Sequence, residues 1–160
     1  MFRNILVAID GSPHADQALL DAIDLADSEH ARLTLFSAIV PPPAVAYLGV
    51  AGGPAATLLR DGEAQATAIL VHARGSVPDH VSVTTVLSRQ PVLPGLLGQI
   101  KDGHHDLVVM GSRGRGAIRS ALLGSVSHYV LHHSPVPVLI VHAQPQSREA
   151  AQAHPVGLVA

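Results

Sequence analysis

The chain has 160 residues, 48% of them apolar and 14% charged, which suits one domain with a well-buried core. A net charge of -2 with neutral histidines, and an aromatic share of 2%, leave neither the basic surface nor the stacking rings that nucleic acid requires, and the lack of cysteine excludes disulfides, thiolate catalysis and thiolate zinc sites. No apolar run reaches the length of a membrane span and the chain opens on the strand-like FRNILVAID rather than a signal peptide, so a soluble, cytoplasmic protein with no membrane or nucleic-acid partner is expected.

Asn4 to Ile9 reads as the first strand, a short apolar run closed by Asp-Gly. Ser12 then caps a helix whose first position is Pro13, and Ala15, Ala18, Leu19, Ala22, Ile23 and Ala26 give that helix one apolar face. Arg32 to Val40 is the second strand. Pro41 to Pro54, PPPAVAYLGVAGGP, holds too much Pro and Gly for regular structure and is expected to be a long loop serving as a lid. A helix from Ala55 to Arg74, a strand from His80 to Leu87, a helix from Val92 to Asp102 and a strand from Asp106 to Met110 follow. The last two elements are a helix from Ser125 to His132 and a strand from Val136 to His142. Val-, Ile- and Leu-rich strands alternating with helices predict an α/β domain over residues 1–143, with a parallel sheet covered on both faces. The polar, Ala-rich segment 144–160 is expected to be a frayed tail.

Between the fourth strand and the fourth helix the chain reads MGSRGRGAIRSALLGSVS, Met110 to Ser127. A P-loop is excluded, because the single lysine, Lys101, precedes the segment; the Rossmann fingerprint fails because Arg119 stands where its third glycine belongs. What remains is Gly111-x2-Gly114-x9-Gly124-Ser125. That spacing folds the chain back so that amides of a glycine turn converge with those of a helix N-terminus, an arrangement that suits a polyphosphate approaching bare backbone. Hydroxyls of Ser125 and Ser127 and the charges of Arg113 and Arg115 would add to it. The alternative is a loop that needs only flexible turns.

ILVAIDGS (Ile5 to Ser12), DLVVMGSRGRG (Asp106 to Gly116), LLGSVSHYVLHHSPVPVLIV (Leu122 to Val141) and the G-2x-G-9x-G-S spacing together resemble the universal stress proteins, in their nucleotide-binding branch, over roughly residues 2–142. The resemblance implies a five-stranded parallel sheet in order 3-2-1-4-5 with helices on both faces, of the adenine nucleotide alpha hydrolase-like type. It further implies ATP held by backbone at Gly111, Gly114, Gly124 and Ser125, with Arg115, Val126 and Ser127 completing the phosphate end. Asp10 would lie near the ribose or a Mg ion on the phosphates, and Ala38 and Met110 near adenine. On the residues alone, the alternative for Asp10 is an Asp-Gly turn residue capping a helix, and Ala38 and Met110 are more often core than adenine wall. One stretch departs from the family pattern: SRQPVLPG, Ser88 to Gly95, stands where members often carry GxPA.

The chain has eleven histidines, and His128 with His132 has the i, i+4 spacing of two metal-ligating imidazoles. Without the Glu of H-E-x-x-H and without a third ligand nearby, the pair reads as surface histidines; no G-x-S-x-G elbow supports a hydrolytic triad. The functional expectation is therefore an ATP-binding regulator in a stress response that contacts a protein partner according to its nucleotide. The alternatives are a slow Mg-dependent ATP hydrolase or phosphoryl-transfer enzyme, and a binder of another adenine nucleotide such as cyclic AMP. VPVLIV, Val136 to Val141, carries no charge to protect an edge, so pairing into a homodimer is expected.

Overall fold

The computed structural model describes residues 1–40, 53–116 and 123–143. Five strands, β1 (Asn4–Ala8), β2 (Arg32–Ala38), β3 (Val83–Ser88), β4 (Leu107–Gly111) and β5 (Val138–Val141), alternate with four described helices, α1 (Pro13–Glu29), α2 (Gly53–Gly75), α3 (Val92–Asp102) and α4 (Ser125–His133). The strands form one sheet in order β3-β2-β1-β4-β5, parallel throughout, as expected.

Strand residues alternate between the two faces, and each face has its own core. Ile5, Val7, Leu33, Leu35, Leu107 and Val109 pack beneath α1 and α2, meeting the small residues Ala18, Ala22 and Ala26 that let α1 approach closely. Leu6, Phe36, Val108 and Met110 point the other way, against Leu96 and Ile100 of α3 and Val130 of α4. Strands buried on both sides explain the continuous apolar runs read in the sequence.

Element ends differ from the expectations where polar chemistry intervenes. β3 begins at Val83 rather than His80, because Pro78 to Val81 is a turn closed by the Val81 amide on the Pro78 carbonyl, and His80 pairs with Asp27 at 2.8 Å. β4 begins after Asp106, whose carboxylate accepts the Arg3 and Asn4 amides at 2.8 and 3.0 Å, and it runs on through Gly111, which pairs with Val141. α2 begins at Gly53, so Gly53 and Pro54 belong to a helix and not to the expected loop; Pro is tolerated in a first turn, where its missing N–H has no helical partner. The remainder of that loop, 41–52, and the tail, 144–160, lie outside the described residues. Among the described residues no helix is long and apolar enough to cross a membrane.

His105, two residues before β4, is buried, and burial lowers its pKa below the usual imidazole value. The unfolded chain therefore binds more protons than the folded one as pH falls below about 6.5, and stability is full above that value and declines beneath it. Urea midpoints between pH 7.5 and pH 5 should fall for the wild type and fall less for His105→Leu. An equal decline in both would remove His105 as a cause.

Candidate functional site

In the order β3-β2-β1-β4-β5 the chain direction of winding reverses between β1 and β4, and the connections leaving their carboxyl ends part there to opposite faces of the sheet. A cavity of about 810 Å³ opens at this point. Its lining includes the residues expected to contact nucleotide: Asp10, Ala38, Met110, Gly111, Gly114, Arg115, Gly124, Ser125, Val126 and Ser127. Phe36, Val92, Leu96, Ala38, Met110 and Val126 make one region of its wall apolar, whereas Asp10, Arg113, Gly114, Arg115, Gly124 and Ser125 make another polar. Val92 belongs to the segment that departs from the family pattern, and it supplies wall there.

The glycine segment does fold back. The Gly124 amide donates to the Ser112 carbonyl at 2.7 Å, and the Ser127 hydroxyl donates to the Gly111 carbonyl at 2.8 Å, so the start of α4 is tied to the end of β4. Residues 117–122, within the turn-back, lie outside the described residues.

The three glycines differ in what a side chain on each would meet. A Cβ on Gly111 would stand 2.7 Å from the His14 carbonyl carbon and 2.9 Å from the Ala15 nitrogen, so this glycine admits the backbone of α1 against β4. On Gly114 it would meet Asp10 Oδ2 at 2.5 Å. On Gly124 it would find only ordinary contacts, 3.4 Å to Arg113 Cα and 3.5 Å to the Ser112 carbonyl oxygen, and the backbone there (φ -70°, ψ 155°) is one any residue adopts. The fold explains the first two and leaves the third unexplained.

Asp10 carries the turn role that the sequence left open. Its Oδ1 accepts the Ser12 amide at 2.9 Å and its Oδ2 accepts the Arg115 amide at 3.1 Å, which clasps the loop after β1 to the loop after β4. Ser12 reinforces the clasp: its hydroxyl donates to the Arg113 carbonyl at 3.2 Å and accepts the Ala15 amide as the N-cap of α1. Asp10 is the one carboxylate of the cavity wall, and among the described residues no group of three or more His, Asp or Glu side chains is placed to hold a metal ion. The donor set thus does not fit a cation held by the protein. Ser127, expected as a donor toward an anion, is buried and gives its hydroxyl hydrogen to Gly111. Ala38 and Met110 are both core and cavity wall, buried in the second cluster with one side on the opening.

Three features escaped the sequence reading. Gln65 reaches the cavity from α2, on a helix face that no motif marks. His14 supports the loop from beneath: the Ala143 amide donates to its Nδ1 at 2.8 Å, so Nδ1 accepts, and the Ser112 hydroxyl lies 3.1 Å from the same atom. Burial, then the Arg113 guanidinium and His142, lower its pKa and favour this neutral form. Phe36 had a legible signal, since it shares a strand face with Ala38 two residues on.

α1 and α4 differ at their starts. α1 is capped by the Ser12 side chain, whereas α4 starts from Gly124 with no side-chain cap, which leaves first-turn amides of α4 at the cavity wall with the positive end of the helix dipole.

The universal stress protein family model matches residues 1–142. A universal stress protein of Thermus aquaticus is 36% identical over 144 residues, covering 88% of this chain and 99% of that one. The structure of the universal stress protein UspA of Lactobacillus plantarum superposes with a TM-score of 0.71 at 23% identity, over 87% of this chain and 97% of that one. A universal stress protein solved in complex with cAMP superposes with a TM-score of 0.62 at 27% identity, over 89% and 99% of the two chains. The match runs from β1 to the end of β5, and the chain belongs to the universal stress protein family.

Proposed function

We propose that this chain binds an adenine nucleotide, ATP in the first instance, at the switch point and acts as a nucleotide-dependent regulator rather than an efficient enzyme. The observation that carries the reading is Gly124: a glycine the fold does not need, at the uncapped start of α4, on the wall of a cavity with an apolar and a polar region. In this reading the phosphates lie against amides near Gly114 and the first turn of α4, with Arg113 and Arg115 adding charge, and the base lies toward Ala38 and Met110. Gly111 contributes by seating α1 rather than by touching phosphate. Asp10 contributes by holding the Arg115 segment in place, so a Mg ion would come with the nucleotide and rest on its phosphates.

Slow turnover follows from the same residues. Amides and arginines stabilise charge, but hydrolysis also needs a group that orients water, and the one carboxylate here has both oxygens engaged by backbone. The test is to purify the protein, identify any retained nucleotide, measure ATP and cyclic AMP binding at equilibrium, and follow labelled phosphate release with excess Mg²⁺. ATP binding with release below about one per minute is expected, against the 1 to 100 per second typical of kinases. Cyclic AMP binding tighter than ATP would favour the second reading, which the cAMP complex of a family member supports. Turnover of several per second would make the protein an enzyme.

Self-association through β5 belongs to the same proposal. β5 is an edge of the sheet, and Leu139 on it is 40% exposed with no charged neighbour in the strand. Sedimentation at micromolar concentration should give a dimer, and Leu139→Lys a monomer. A wild-type monomer would refute this part alone.

A further inference from the structure

We propose that His128 and His132 form a site for a divalent transition-metal ion that prefers imidazole, Cu²⁺ or Zn²⁺, on the exposed side of α4. The residues stand four apart, so their side chains leave the same helix face one turn from each other. Their ring centroids lie 4.7 Å apart with planes at 58°, neither stacked flat nor splayed. Two nitrogens bound to one ion at about 2.0–2.1 Å stand about 3 Å from each other, a spacing that rings this close reach by side-chain rotation. Both residues are exposed, and among the described residues no hydrogen bond or ion pair engages either ring. Each neutral imidazole offers a nitrogen lone pair, the donor type these ions select.

The neighbouring histidine is built differently. His133 lies flat on Tyr129, at 3.9 Å and 8°, and its Nδ1 donates to the Tyr129 carbonyl at 2.8 Å, so it is committed to the end of its own helix. No third protein ligand stands by among the described residues, so water completes the coordination shell. This is an open two-imidazole site and not a closed structural zinc centre. It does not depend on the nucleotide reading.

The full chain, titrated with Cu²⁺ alone, tests the proposal by calorimetry and electron paramagnetic resonance. One ion per chain is expected, with imidazole nitrogen couplings in the spectrum, and Zn²⁺ should occupy the same site more weakly and be displaced by Cu²⁺. His128→Gln and His132→Gln should each weaken that event at least about tenfold, whereas His133→Gln should leave it unchanged, with circular dichroism the same in all. Melting gives a second readout: Cu²⁺ should raise the Tm of the wild type and of His133→Gln, but not of the other two. Since the chain has eleven histidines, the double variant decides. An unchanged tightest Cu²⁺ site in folded His128→Gln/His132→Gln overturns the proposal, as does a wild type that binds Cu²⁺ no better than free imidazole.

Discussion

A Gly124→Val variant is expected to keep its fold and lose its nucleotide. Valine is at ease at φ -70° and ψ 155°, and its Cβ would meet neighbours at ordinary distances, so the melting temperature should stay close to the wild-type value. Its two methyl groups would stand at the start of α4, where the first-turn amides reach the cavity, and hold a phosphate off the backbone. A hydrogen bond to a charged group contributes about 1.5–3 kcal/mol, so the loss of even one weakens binding roughly ten- to hundredfold. Calorimetry with ATP, beside a melting curve of the same preparation, makes the measurement. Wild-type affinity in the folded variant would show that the phosphates lie elsewhere, and the nucleotide reading of the cavity would lose its main support.

Gly111→Ala should do the reverse. Its added methyl group would meet the backbone of His14 and Ala15 at under 3 Å, and a helix backbone cannot rotate away as a side chain can. α1 would have to shift off β4, and overpacking of this kind costs about 1–3 kcal/mol. At this chain length that corresponds to a Tm lowered by roughly 2 to 12 °C. Any loss of ATP affinity should then be recovered in part by conditions that stabilise the fold, such as added osmolyte, because the residue seats α1 and does not touch the ligand. A wild-type melting temperature together with lost binding would instead place the phosphate at Gly111. The two variants thus separate a glycine that serves the ligand from one that serves the packing, although both belong to one motif.

The single motif of the sequence resolves into separate tasks because Gly111-x2-Gly114-x9-Gly124-Ser125 records where side chains are missing and not what stands in the space. Only the approach of α1 distinguishes Gly111, and only the Asp10 carboxylate distinguishes Gly114. Asp10 itself was ambiguous for the same reason. An Asp-Gly pair after a strand announces a turn, but the Arg115 amide that its second oxygen accepts lies 105 residues away, and no local pattern encodes that distance.

The alternation of strands and helices, the two-sided burial of the sheet and the Ser12-Pro13 start of α1 were legible in the amino-acid sequence. These follow from periodicity, capping and composition, which act over a few residues and are therefore written locally. Only tertiary packing settled which of the candidate site residues have their polar groups engaged within the fold. It placed Gln65 and Phe36 on the wall, turned the Ser127 hydroxyl inward to Gly111, and set His14 as the acceptor beneath the loop. Each of those outcomes depends on the direction of a side chain or on a partner distant in the chain, and both are settled only when the helices dock on the sheet.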